Sequence, residues 1–132
     1  MFNLLKIENA RQNVPEPEYL PVTASEEVAL GEALVLTSGK LTKCGATTAP
    51  TFIAMRSCAA DDTNRAIPVC RVESNQLYEV ETSDDCSAAV VGSKVTLHTD
   101  GLQVTATTTS GVATIVDLNG AEDAGDKIIV RF

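Results

Sequence analysis

The sequence predicts an all-β fold, a small barrel or sandwich of short antiparallel strands, on three observations. Fifteen threonines and many valines suit a pleated chain, because β-branched side chains pack well on that surface. Turn signals recur about every 8 to 12 residues, the rhythm of short strands joined by tight turns. The segment Gly31-Glu-Ala-Leu-Val-Leu-Thr-Ser-Gly also returns as Gly92-Ser-Lys-Val-Thr-Leu-His-Thr-Asp-Gly, as though one β-unit had been built twice. In this alignment Leu34 and Leu36 match Val95 and Leu97, Gly39 matches Gly101, and Thr47-Thr48 matches Thr108-Thr109. Ile53 matches Ile115, and Ile67 and Val69 match Ile128 and Val130. Units repeated in this way usually bury their apolar faces on one another, which favours a scaffold.

In chain order, residues 1–21 read as an extended N-terminal arm. A short apolar start, Phe2 to Ile7, precedes Pro15, Pro17 and Pro21, and prolines this dense exclude helix. A short helix over residues 3–13 is the alternative for the start of the arm, marginal at that length. Residues 22–132 read as one β domain with pseudo-repeats over about 31–72 and 92–132. Its expected strands are Leu20 to Thr23, Ala33 to Thr37, Lys40 to Cys44, Thr51 to Cys58, Arg65 to Val72 and Gln76 to Glu81. They continue with Ser93 to Thr99, Leu102 to Ala106, Val112 to Asp117 and Asp126 to Phe132. Thr37-Ser-Gly-Lys40 and Thr99-Asp-Gly-Leu102 are hairpin turns, since glycine takes the positive φ such turns need. Residues 59–64 and 119–125 are matching acidic loops, and only residues 83–91 carry a helical rhythm. Alternation gives an inner face of Leu34, Leu36, Leu41, Ile53, Met55, Ile67, Val69, Val80, Val95, Leu97, Val104, Ile115, Ile128 and Val130.

Composition narrows the function classes. A net charge of −8 disfavours a phosphate backbone, which needs clustered Lys and Arg, so nucleic acid is not expected as a partner. The N-terminus has no basic, apolar and small-residue succession of a secretory signal, and no run of about 18 apolar residues suggests a membrane span. The expectation is a product of the cytosol with no membrane partner. Cys44, Cys58, Cys70 and Cys86 are then expected as reduced, buried thiols; they contain no Cys-x-x-Cys pair and the single histidine, His98, is distant. With one histidine, no Gly-x-Ser-x-Gly elbow and no phosphate-cradling glycine loop, neither an enzyme nor a cofactor is expected. His98 should face away from the inner face. Asp61-Asp62 and Asp84-Asp85 read as solvated loop residues, and 61–64 and 122–126 as turns without the spacing of a calcium loop, so no metal is expected.

The run Ala33-Leu-Val-Leu-Thr-Ser-Gly-Lys-Leu-Thr-Lys43, then Pro50-Thr-Phe-Ile-Ala-Met55, Asp61-Asp-Thr-Asn-Arg65, Ile67-Pro-Val-Cys-Arg-Val72 and Gln76-Leu-Tyr-Glu-Val80, resembles the small head-decoration proteins of tailed bacteriophages. The resemblance spans roughly residues 31–81. Phe52-Ile-Ala stands where that family has a glycine-led strand, and the copy from Gly92 has no counterpart in its short members. It implies an auxiliary capsid protein, located in the virion and made in the host cytoplasm, that binds the coat protein as a homo-oligomer, a trimer or dimer. It also implies that the arm meets the capsid. Phe2, Leu4, Leu5 and Ile7 are the expected contact residues, adding a strand to a coat-protein sheet edge. On this view residues 1–14 are dispensable for folding. The alternative is a β-module of a phage tail or fibre that recognises a surface glycan or receptor.

Overall fold

The computed structural model describes residues 1–11, 14–62 and 65–132, and among them there is no helix. Ten strands form two antiparallel sheets of five, arranged as a sandwich and not closed into a barrel. They are β1 (Asn3–Ile7), β2 (Glu18–Pro21), β3 (Ala33–Thr37), β4 (Lys40–Lys43), β5 (Phe52–Ala54), β6 (Ala66–Arg71), β7 (Gln76–Glu81), β8 (Lys94–Val95), β9 (Ala113–Asp117) and β10 (Lys127–Arg131). One sheet runs β1-β7-β10-β9-β8 and the other β2-β6-β5-β3-β4.

The two sheets repeat one wiring. In the order β2-β6-β5-β3-β4, replacing β2, β6, β5 and β3 by β7, β10, β9 and β8 gives the other sheet without β1. Val104 stands where β4 would be: it bridges Leu97 just after β8 and Thr82 just after β7, as Leu41 of β4 bridges Val22 just after β2. Hydrogen bonds off the ladders follow the same copy. Gly31 N–H donates to Ala54 O and Gly92 N–H to Ile115 O, both at 2.8 Å; Ala54 N–H donates to Glu32 O and Ile115 N–H to Ser93 O, both at 2.9 Å. Gly31 and Gly92 both have positive φ, as do Gly39 and Gly101. The repeat therefore begins earlier than the sequence alignment places it, at β2 and β7.

The β3–β4 hairpin closes Thr37 against Lys40, with Ser38 and Gly39 both at positive φ, the geometry of a two-residue turn that matches strand twist. Of the fourteen expected inner-face residues, twelve are buried; Leu36 and Met55 are exposed. Leu36 lies one residue from the hairpin turn, past the reach of the strands that cover Leu34. Expected strands at 51–58 and 93–99 shorten to Phe52–Ala54 and Lys94–Val95, and 102–106 contributes only the Val104 bridge. Residues 83–91, the stretch with a helical rhythm, form bends and turns, with Cys86 and Ala89 packed inward from the loop.

The extended N-terminal segment is paired into the two sheets. Residues 3–7 are strand β1, which pairs with β7 through Asn3↔Glu79, Leu4↔Tyr78, Lys6↔Leu77 and Ile7↔Gln76, with a bulge at Leu5. Phe2 is only 3% exposed and closes an aromatic trio with Tyr78 and Phe132, its ring centroid 5.4 Å from that of Phe132. Residues 18–21 are edge strand β2, paired with β6, where Pro21 ends the strand. Burial of Phe2, with Leu4 packed against the same core, and main-chain pairing with β7 hold the segment in the sheet. That pairing is tertiary, and the local sequence does not announce it.

Two buried clusters fill the fold. Leu34, Leu41, Phe52, Ala54, Ile67 and Val69 fill the inside of the first repeat with Val22, Val28 and Cys58. The other cluster contains Val80, Val95, Leu97, Val104, Ile115, Ile128 and Val130 of the second repeat, together with Phe2 and with Ala33, Cys44 and Ile53 of the first. The joint between repeats is drawn tight by Ala33 N–H donating to Gly101 O at 2.8 Å and Leu97 N–H donating to Ala46 O at 2.9 Å.

Candidate functional site

An apolar cleft of about 280 Å³ opens where the N-terminal strand meets the first repeat. Its walls come from four places: Met1 to Leu4, Val14-Pro15, Leu30-Gly31, and the β5–β6 region with Ile53, Met55 and Cys70; Tyr78 of β7 completes them. No Asp, Glu, Lys or Arg lines it, in a chain with 28 charged residues. The described residues expose nine large hydrophobic side chains, and four of them, Met1, Val14, Leu30 and Met55, belong to this cleft. These four side chains are gathered around one hollow, whereas the other five exposed hydrophobics lie elsewhere.

Local structure explains the hollow. Phe2 N–H donates to Gly31 O at 2.9 Å, and a Cβ on Gly31 would stand 2.8 Å from Phe2 O, so glycine allows the N-terminal chain to lie directly on the first repeat. Behind the walls sits a buried polar trio. The Tyr78 hydroxyl donates to Gln76 Oε1 at 2.6 Å, Gln76 Nε2 donates to Cys70 Sγ at 3.6 Å, and Cys70 Sγ lies 4.0 Å from the Tyr78 oxygen. Burial pushes the ionisation of both Cys70 and Tyr78 upward, so both stay neutral and the floor of the cleft carries no charge.

The expected contact residues divide. Leu4 lines the cleft and is half-buried; Phe2 lines it from a core position; Leu5, at the bulge, is 45% exposed and points outward; Ile7 is half-buried at the far end of β1. Only Leu5 offers substantial free surface, and Phe2 is a structural anchor. Met1, Val14, Leu30 and Met55 were not among the expected residues. Alternation places Met55 on the inner face, and the others lie in loops, where periodicity gives no signal.

The remaining candidate groups are dispersed. His98 is half-exposed with Nδ1 3.1 Å from Asp100 Oδ2 in the turn before Gly101. Burial pushes the Asp100 carboxyl up, but hydrogen bonds from Leu102 N–H and His98 outweigh it and leave it below the usual carboxylate range. Asp84 Oδ2 accepts from Ala106 N–H, Asp85 Oδ1 from Ser87, and Asp126 Oδ2 from the N–H groups of Glu122 and Asp123 at 3.0 Å each. These carboxylates close turns. Asp62 stands 3.3 Å from Arg56, while Thr63 and Asn64 of the same loop lie outside the described residues. No group of three or more His, Cys, Asp or Glu able to hold a metal occurs among the described residues. All four cysteines are unpaired thiols in buried positions; Cys44, which donates to Thr48 O at 2.9 Å, is pushed up to about 11 by burial.

Two residues that carry much of the local structure gave no signal in the sequence. The Arg65 guanidinium donates to the carbonyls of Thr23, Glu26, Ala59 and Ala60, tying two loops of the first repeat together. Glu32 is buried at the joint between repeats; its Oε2 accepts from Ala29 N–H at 2.7 Å, Lys43 Nζ stands 3.5 Å from Oε1, and desolvation raises its ionisation above the ordinary carboxylate value. No family model, curated protein or solved structure matches the chain.

Proposed function

We propose that the chain is a structural virion protein that decorates and stabilises the outside of a phage capsid, docking on coat protein through the apolar cleft and the neighbouring β1 edge. The supporting observation is the clustering of Met1, Val14, Leu30 and Met55 around a hollow lined by no Asp, Glu, Lys or Arg, beside an edge strand, in a chain of net charge −8. An extended coat segment added along β1 gains main-chain hydrogen bonds, and the adjoining hollow accepts one or two of its apolar side chains. The rigid, duplicated β framework holds that surface in place, and the function requires no chemistry of His98, the cysteines or the acidic loops. The chain is proposed to act as a dimer or trimer, without a cofactor, nucleic acid or membrane.

The test is co-sedimentation with heads assembled from the coat protein encoded beside this chain and stripped of the chain itself. Wild-type protein should pellet with the heads and raise their resistance to heat. Met55→Glu, at an exposed cleft position, should keep its melting temperature and lose most of this binding. Met55→Glu binding as tightly as wild type would remove the cleft from the interface.

A further inference from the structure

We propose that Asn119-Gly120 is a site of self-modification, at which the main-chain nitrogen of Gly120 displaces the side-chain amide of Asn119 and leaves an aspartyl or isoaspartyl residue. It is the only Asn-Gly step in the sequence. The two residues are the centre of the turn that follows β9, with φ of 53° and 75° and Ala121 N–H donating to Leu118 O at 2.9 Å, the pattern of a type I′ turn. Both are exposed, and among the described residues neither the Asn119 carboxamide nor the Gly120 N–H has a hydrogen-bond partner. A Cβ on Gly120 would meet nothing within 4 Å, and glycine itself carries no side chain to crowd its nitrogen. The pair also lines a hollow of about 360 Å³, shared with Gly125, Asp126 and Lys127, that is open to water. Elsewhere the same chemistry is blocked. Asn3 is paired within β1, Asn75 Nδ2 donates to Glu8 O ahead of buried Gln76, and Asn9 precedes Ala10, whose N–H donates to Ile7 O. Asn13 and Asn64 lie outside the described residues. Asp100-Gly101 is closed as well: Gly101 is buried, its N–H donates to His98 O, and Asp100 Oδ1 accepts from Leu102 N–H at 2.7 Å.

The step needs only the chain and water. Gly120 N loses its proton to solvent and bonds to Asn119 Cγ; the Cγ–Nδ2 bond breaks, and that nitrogen leaves as ammonia, closing a cyclic imide. Water then opens the ring at either carbonyl. One opening gives aspartate, the other an isoaspartyl residue in which the main chain runs through the former side-chain carbon. The net change exchanges water for ammonia and adds a negative charge. Ring closure requires Asn119 to leave the turn, which is held by Ala121 N–H on Leu118 O and Asn119 N–H on Asp117 Oδ1, both at 2.9 Å. An exposed turn held in this way opens locally without global unfolding. The isoaspartyl product lengthens the main chain beside Ala121, which packs in the core cluster of the second repeat, so that form should melt at a lower temperature.

The experiment incubates the full chain at mildly alkaline pH, folded and in urea, beside Asn119→Gly, which removes the carboxamide and keeps a residue that takes positive φ freely. Folded wild type should convert, at a rate independent of protein concentration and rising with pH, to a more acidic form of higher mass, releasing ammonia in step. Peptide mapping by mass spectrometry should place isoaspartate at position 119, and the converted form, separated by ion exchange, should melt below the parent. Asn119→Gly should lose this conversion. Folded wild type that keeps its mass while the chain in urea converts would show that the turn blocks the reaction and would overturn the proposal. Ammonia release from Asn119→Gly at the wild-type rate, or aspartate formed at 119 with no isoaspartate, would overturn it too.

Discussion

Gly39 and Gly101 occupy equivalent turns at φ 78° and 70°, yet their surroundings differ. A Cβ at Gly39 meets nothing within 4 Å, whereas one at Gly101 stands 3.1 Å from Glu32 Cγ and 3.3 Å from Ala33 O. Gly39→Ala should cost about 1 to 2 kcal/mol for the left-handed conformation. Gly101→Ala carries that cost and, in addition, about 1 to 3 kcal/mol of overpacking at the joint. Urea denaturation of the two variants checks the difference; equal losses would show that the joint yields freely. Beside Gly101, the raised ionisation of Glu32 makes a pH prediction. Its protonated form is favoured by folding, so the stability it contributes is present below the ordinary carboxylate value and is lost as pH rises through the raised folded value. Glu32→Gln should therefore gain on wild type between pH 4 and pH 7.5, measured as the difference in urea midpoint at each pH. A difference that is flat with pH would mean that Lys43 fully compensates the buried charge. The turn glycine was legible in the sequence, since Ser-Gly and Asp-Gly mark hairpins. Glu32 was not, because a glutamate after glycine gives no sign that another repeat will cover it.

Strand β1 is where local and tertiary preferences part. Five residues between Phe2 and Glu8 have no stable structure alone, and the edge of β7 gives them one. The aromatic trio then fixes them. Phe2→Ala should lower stability by about 3 to 5 kcal/mol, the range for removing a buried aromatic ring, whereas Leu5→Ala at the bulge should change it by less than about 0.5 kcal/mol. Thermal melts of both variants decide this, and equal, small effects would show that Phe2 does not anchor the segment. By the same reasoning, deleting residues 1–14 uncovers Tyr78 and Phe132 and is expected to leave an unfolded or aggregating chain, so a decoration assay needs point variants. Strands β3, β4, β7, β9 and β10 were readable within a residue or so, because alternation there coincides with burial. Residues 93–99 and 102–106 alternate equally well, but only Lys94-Val95 pairs with a strand, β9, while Leu97 and Val104 make single bridges, so the pattern overstates the strands.

At the scale of the molecule, the two repeats share a core. Ala33, Cys44 and Ile53 of the first repeat pack in the cluster that holds Val95, Leu97 and Ile115 of the second, and the Ala33–Gly101 and Leu97–Ala46 hydrogen bonds cross the joint. Neither repeat should fold without the other. Calorimetry is expected to give one transition with equal calorimetric and van't Hoff enthalpies; two resolved transitions would show independent units. The sequence by itself determined the all-β class, the hairpin turns and most of the inner face, and it exposed the repeat, since these follow from side-chain alternation and glycine placement along the chain. The tertiary structure alone decided that the first residues join a sheet, that Glu32 is buried, and that Met1, Val14, Leu30 and Met55 meet around one cleft. Those outcomes depend on which surfaces are brought together, and residues far apart in sequence carry no local mark of that meeting.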